Sequence, residues 1–496
     1  MSRRPKTLPF LLLVLGAVTL AAADAGDAYA ARGQQESAFE QGYDRPARTP
    51  GASRSPAMSA HGMVATSQPL AAQVGLRVLQ EGGNAIDAAV AVNAMLGLVE
   101  PHMNGIGGDL FAIVWHAESE TLYAINGTGR SPNRATLEAY RERELERVPG
   151  SGPLSWTVPG AVDAWERLVE RFGTRTLGEL LAPAIDYARE GFPVTEIIAG
   201  DWAAAEESLA EWPTSAATYL PAGRAPRAGE IFRNPDLART YAAIAEGGAD
   251  AFYRGAIADA IVAFSEQQGG LFEARDFAAH DSTWVEPVST TYRGHEVWQL
   301  PPNSHGITAL MMLNLLEAYD LEESGHNSAL TLHRMIEAKK LAFADRTRFV
   351  ADPDFNPLPV QELVSKPYAD LRRALMSDER AATSVVPGDP RRDLPRDTDR
   401  LGRGDTVFLT VVDAERNAVS FIQSIFSSFG SKVVPEGLGF ALQNRATGFS
   451  LEPGHLNVLE PRKRSLHTNM PGMVTRDGRP WLSFGVMGGN MQPQGH

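Results

Sequence analysis

The Asp405-Thr406 peptide bond is the place in this chain where residue type and position suggest chemistry. A threonine hydroxyl can attack the carbonyl of the residue before it. That N-to-O acyl shift turns the amide into an ester, and hydrolysis of the ester leaves Thr406 as a new N-terminus. The freed α-amine, with an ordinary pKa of roughly 7.7–8.0, is then a base beside its own hydroxyl, which an internal threonine lacks. The plain alternative is a β-branched residue opening a strand. Two other features could serve such a site. Arg130, in the run Asn126-Gly127-Thr128-Gly129-Arg130-Ser131-Pro132, offers a guanidinium fork to a substrate carboxylate, or is a surface loop arginine. Gly488-Gly489 can aim backbone N–H groups at a developing oxyanion, or is a structural turn.

The elements around Thr406 give it a setting. Val/Ile/Phe/Thr runs on either side of Ala414-Glu415-Arg416-Asn417 predict a β-hairpin with Thr406 at the tip of its first strand. The proline-broken polar run from Pro387 to Arg400 predicts an exposed loop ahead of it. Earlier in the chain, Ala71, Val74, Val78 and Leu79 fall at helical spacing up to Gly82-Gly83. Asn84 is placed to cap an almost wholly apolar helix, Ala85 to Leu98, which must lie between layers. Phe111–Trp115 and Thr121–Ile125 read as a hairpin. Residues 136–385 read as mostly helical, with helices over Ala161–Phe172, Leu177–Arg189, Leu237–Glu246, Ala256–Gln267, Ile307–Tyr319 and Leu332–Arg348. One strand, Tyr292–Leu300, interrupts them, and Trp481–Val486 forms a late strand before the Gly-Gly turn.

Composition narrows the function classes. A formal net charge of -14 over 496 residues argues against nucleic acid as a partner. The absence of cysteine excludes a thiol nucleophile and disulfides, and the eleven histidines are scattered without metal-ligand spacing, so neither metal nor cofactor is implied. Residues 1–30 read as a signal peptide: Arg3, Arg4 and Lys6 precede an apolar run from Leu8 to Ala23, with small-residue cleavage sites at Ala21-Ala22-Ala23 or Ala28-Tyr29-Ala30. A retained anchor is the alternative. Residues 31–56 read as a disordered tether, and the expected location is periplasmic or secreted, without a stable membrane span.

The region around Thr406 resembles the nucleophile segment of the γ-glutamyltransferase (glutathione hydrolase) family of N-terminal-nucleophile hydrolases. Collinear segments extend the resemblance from about residue 57 to 496: Gly82-Gly83-Asn84-Ala85-Ile86-Asp87, Gly105-Ile106-Gly107-Gly108-Asp109-Leu110-Phe111, Val158-Pro159-Gly160, Pro183-Ala184-Ile185, Pro301-Pro302-Asn303-Ser304-His305-Gly306, Ala342-Phe343-Ala344-Asp345-Arg346 and Gly488-Gly489. It implies an α+β fold, a four-layer αββα sandwich of the Ntn-hydrolase type, formed by a single domain. Self-cleavage at Asp405-Thr406 would give a large subunit, 57–405, and a small subunit, 406–496. Family members continue beyond the Gly488-Gly489 turn, so a C-terminal truncation, with marginal stability and slow processing, is expected.

The resemblance also assigns roles. Ser424, eighteen residues after the nucleophile, falls where the family has a threonine that hydrogen-bonds it, and Gly488-Gly489 falls on the oxyanion turn. The family's carboxylate-binding arginine falls on Thr128, with Arg130 two residues on. Other substrate positions depart from the pattern. A family asparagine falls on Phe426, the glutamine and aspartate that grip the substrate α-amino group fall on Arg445 and Gly448, and paired serines fall on His467 and Thr468. Losing the acid removes the group that selects an ammonium, and Arg445 would repel one. The expected function is hydrolysis or transfer of γ-glutamyl amides such as glutathione through an acyl-enzyme on Thr406. The alternatives are a glutaryl- or cephalosporin-type acylase, or a non-catalytic binding protein that kept the fold.

Overall fold

In the strand that begins at the expected cleavage point, side chains alternate between two apolar surroundings, and this alternation sets the layers. The computed structural model describes residues 56–390 and 405–496. The expected signal peptide, the tether up to residue 55 and loop residues 391–400 lie outside them. Ala60–His496 form one unit. Its first sheet contains β1 (Gly62–Thr66), β2 (Asp109–His116), β3 (Thr121–Gly127), β4 (Thr283–Val285), β7 (Asp405–Asp413) and β8 (Ala418–Phe426), in the order β1-β7-β8-β2-β3-β4. Every neighbouring pair is antiparallel. The second sheet contains β5 (Val288–Tyr292), β6 (His295–Gln299), β9 (Gly472–Arg476) and β10 (Arg479–Phe484), in the order β10-β9-β6-β5.

Val407, Leu409 and Val411 of β7 join a helical core, whereas Phe408 and Val412 join Phe111, Ile113, Ile422 and Met473 between the two sheets. Burying each of the first three side chains stabilises by about 1.5–3 kcal/mol. The helices on that side are α1 (Pro69–Gln80), α2 (Ala85–Val99), α3 (Ala161–Phe172), α4 (Leu177–Glu190) and α5 (Pro235–Tyr253). On the far side α6 (Ile307–Leu316), α7 (Ala329–Phe349) and α8 (Lys366–Arg373) cover the second sheet through Leu310, Ala342, Tyr368, Val297 and Val474. The result is a four-layer αββα sandwich.

Helix α2 is buried along its whole length, as its all-round apolar sequence requires. Asn84 caps it through the Ile86 and Asp87 N–H groups, and the Asp87 carboxylate bonds back to the Asn84 N–H. The Asp413 Oδ2 accepts from the Ala85 N–H at 3.0 Å, so the far end of β7 is pinned to the N-terminus of a central helix. The expected strand Tyr292–Leu300 is instead a hairpin, because Arg293 (φ 50°) and Gly294 (φ 81°) make a two-residue turn with both φ positive. Helix α5 also runs beyond its expected end, through a kink at Gly248 (φ 63°).

Candidate active site

Strand register brings four residues into one row at the same end of the first sheet. Gln423 pairs with Val407 and Phe426 with Asp405, so β8 uses three steps where β7 uses two. This bulge leaves Ser424 opposite Thr406. Ser424 pairs in turn with Asp109, and Leu110 pairs with Gly127, which brings Thr128 beside Asp109. Alternation turns Thr406, Ser424 and Asp109 toward the space between the sheets, on the faces that carry Phe408, Ile422 and Phe111. Thr406 is 1% exposed.

The bulge gives Ser424 a particular job. Phe426 takes a positive φ of 78°, and its N–H donates to the Ser424 Oγ at 2.7 Å. The Ser424 hydroxyl donates onward to the carbonyl oxygen of Asp405 at 2.5 Å. That carbonyl belongs to the Asp405-Thr406 bond. In this uncleaved chain, therefore, the serine polarises the carbonyl that the threonine would attack, a different partner from the nucleophile hydroxyl expected for it. Gly108 permits the approach, since a Cβ there would lie 2.3 Å from the Ser424 carbonyl oxygen.

A buried polar chamber closes over the row. The Asp109 Oδ1 accepts from the N–H groups of Gly129 (3.1 Å) and Gly160 (3.2 Å), and its Oδ2 lies 3.3 Å from the His467 Nε2. The His467 Nδ1 accepts from the Asn469 N–H, so the proton of the neutral ring is on Nε2, facing Asp109. Burial raises the Asp109 pKa to about 6, against the pull of Arg445 and its hydrogen bonds. Burial holds His467 well below the usual histidine range, and Arg445 adds to that.

The Arg445 guanidinium lies 4.3 Å above the Phe426 ring and donates from Nη1 to the Thr468 Oγ1 at 3.3 Å. Its Nε and Nη2 have no hydrogen-bond partner although the residue is only 2% exposed. Burial works against its charge and Asp109 supports it. A guanidinium held so, with two donors unused, is built to receive an acceptor.

Thr128 belongs to the wall of this chamber: its hydroxyl donates to the Asn126 Oδ1 at 2.7 Å, and the Asn303 amide approaches it at 3.4 Å. Arg130 is not brought in. Its guanidinium bonds Asp352 at 3.2 Å and Asp354 at 2.5 Å and lines a separate cavity of about 280 Å³ with His280 and Arg464. The Gly-Gly turn is reached through β10. Thr410 bonds Ser483, and Gly485 abuts the Phe408 ring, so the segment leading to Gly488 runs toward the Thr406 end of β7. Gly488 (φ 124°) and Gly489 (φ 55°) both need the conformational freedom of glycine. They open the short 3-10 turn Gly489–Met491, which no side chain caps.

Asp109 was present in the sequence motif without a role; an acid directly after a glycine pair at a strand start was the available signal. Beside the junction, a cavity of about 860 Å³ is lined by residues that include His102, Asp201 and Met487. Burial pushes the Asp405 carboxyl up, with Lys432 opposing that shift and Asp201, a residue of the cavity wall, adding to it. Among the described residues, no set of His, Asp or Glu side chains converges as a metal ion would require.

Residues 71–496 match the family model described as gamma-glutamyltranspeptidase. The chain is 41% identical to the glutathione hydrolase-like YwrD proenzyme of Bacillus subtilis over 87% of its own length and 79% of that protein's. It is 38% identical to the oxamate amidohydrolase proenzyme of Klebsiella pneumoniae, with 88% and 80% covered. The crystal structure of cephalosporin acylase from Bacillus halodurans superposes with a TM-score of 0.84 at 44% identity, covering 91% of this chain and 82% of that one.

Proposed function

The chain belongs to the gamma-glutamyltranspeptidase family, and from that premise we propose that it is a proenzyme that cleaves itself at Asp405-Thr406 and then hydrolyses amides whose short acyl group ends in a carboxylate. The proposed subunits are residues 57–405 and 406–496. A periplasmic or secreted location goes with this reading, supported by the basic and apolar N-terminal sequence. No helix among the described residues is long and apolar enough to cross a membrane.

In maturation the Thr406 Oγ1 adds to the Asp405 carbonyl carbon while Ser424 donates to its oxygen. The C–N bond breaks to give an ester and a free amine, and water then hydrolyses the ester. In turnover the Thr406 amine takes the hydroxyl proton as Oγ1 attacks the substrate carbonyl. It passes that proton to the departing amine, and water releases the acid from the acyl-enzyme. The N–H groups of Gly488 and Gly489 are proposed as the donors to the oxyanion.

One observation carries the choice of acyl group: Arg445 stands in the chamber with unused donors, and the position of the family's ammonium-binding acid is Gly448. Hydrolysis of glutaryl and γ-glutamyl p-nitroanilides should favour the glutaryl compound. Arg445→Gln should cut kcat/KM for it by about 10- to 10²-fold, the equivalent of ~1.5–3 kcal/mol for a charge-assisted hydrogen bond. A γ-glutamyl substrate turned over as fast or faster would overturn this reading in favour of γ-glutamyl hydrolysis, of glutathione for example. The glutathione hydrolase-like relative favours that second reading.

The pH dependence tests Asp109. The Thr406 amine must be neutral to act as a base, and Asp109 must be ionised to hold Arg445 and His467. As pH falls, log kcat/KM should drop with slope one below about pH 8 and with slope two below about 6, where Asp109 takes up its proton. Asp109→Asn should keep slope one throughout. A slope of one in the unaltered enzyme down to pH 5 would remove Asp109 from this role.

A further inference from the structure

The cavity beside the cleavage junction has a chemical character of its own. Its apolar wall includes Met103, Ile198 and Met487, and three carboxylates line it: Glu100, Glu196 and Asp201. No lysine or arginine is among its lining residues. Glu100 is only 3% exposed and accepts from the Ser67 hydroxyl at 2.9 Å. His102, 1% exposed, also lines the cavity, and neither ring nitrogen has a hydrogen-bond partner, although the Asp201 Oδ2 lies 3.4 Å from Nε2. Burial keeps that imidazole neutral, so a ring nitrogen is free to accept a proton-bearing group.

Two hydrogen bonds and two chain continuations tie this cavity to the reacting bond. The Ile425 N–H, inside the bulge, donates to the Met103 carbonyl at 3.4 Å, and the Phe429 N–H donates to the His102 carbonyl at 2.8 Å. Ser67 and Gln68 continue β1 past its pairing of Thr66 with Leu409, toward the Thr406 end of β7. Met487 immediately precedes the Gly-Gly turn. The lining of this cavity shares no residue with the group formed by Asp109, Arg445, His467 and Thr468.

We propose that this cavity is the amine-side subsite, and that it takes amines carrying a second, cationic group on a short alkyl chain, such as acylated diamines. The inference rests on the amide-hydrolase reading above. The alkyl chain lies along Met103 and Ile198, and the ammonium meets Asp201, Glu196 and the neutral ring of His102. An amine ending in a carboxylate meets the carboxylates of Asp201 and Glu196 instead, with Glu100, whose pKa burial raises, behind them. Lys432, which does not line the cavity, interacts electrostatically with Asp405 and His102.

The test uses the matured enzyme and the acyl group that the anilide comparison favours, joined to cadaverine, pentylamine or aminovalerate. Amine release should rank cation-tailed above neutral above anion-tailed. The cation-to-neutral ratio in kcat/KM should be about 10 at low salt and shrink as salt screens it. The double variant Glu196→Gln/Asp201→Asn, at an exposed and a half-buried position that spare buried Glu100, should bring that ratio toward one. Anilide turnover with no such ranking, or a ratio unmoved in the double variant, would overturn the subsite alone. Failure to turn over any amide or anilide would overturn the hydrolase reading, and the subsite with it.

Discussion

Thr406→Ala is expected to leave one uncut chain and to lower amide hydrolysis by on the order of 10⁶-fold, the cost of removing a nucleophile that acts as a unit with its base. Alanine has no hydroxyl for the acyl shift, so no α-amine is released, and the variant loses nucleophile and base together. The substitution removes one methyl and one hydroxyl from a strand residue whose neighbours Val407 and Leu409 remain fully buried. The fold should therefore persist, and thermal unfolding close to that of the parent would show it. Mass spectrometry of the unaltered protein should find two fragments, the second beginning at Thr406, while Thr406→Ser should still process. A parent protein that stays in one piece under conditions where it binds small amides would favour the non-catalytic alternative.

Local sequence carried the elements whose signals are local. The β7–β8 hairpin was legible because two apolar strands flank a polar turn. Helix α2 was legible because Asn84 caps it and its whole circumference is apolar. The hairpin of β5 and β6 was missed because its turn, Arg293-Gly294, sits inside what reads as one continuous strand. The site was harder, since its partners are distant in the chain. Nothing near Arg130 announces Asp352 and Asp354, which hold its guanidinium from 222 and 224 residues away. Arg445 was recognisable as a departure from the family pattern, but its unused donors and its seat on Phe426 require the fold. Asp109 becomes a site residue only once register sets it beside Ser424.

Ser424→Ala is expected to slow self-cleavage by about 10²–10³-fold, the usual cost of losing one donor to a developing oxyanion. As Thr406 adds to the Asp405 carbonyl, negative charge collects on the oxygen that Ser424 already contacts at 2.5 Å. The serine is itself fixed by the Phe426 N–H at 2.7 Å, so its hydroxyl needs no reorientation during the reaction. Without it the carbonyl loses its donor and the Phe426 N–H loses a buried acceptor. The second loss should lower stability by about 1–3 kcal/mol. Processing and stability are separable by rescue: Ser424→Thr restores a hydroxyl at the same bulge and should recover cleavage, whereas a purely structural role would leave the cleavage rate tracking the melting temperature. The half-life of the uncut chain, followed by gel alongside thermal unfolding, decides between them. Cleavage of Ser424→Ala at the parental rate would show that the contact in the uncleaved chain is incidental and that another donor meets the Asp405 oxygen.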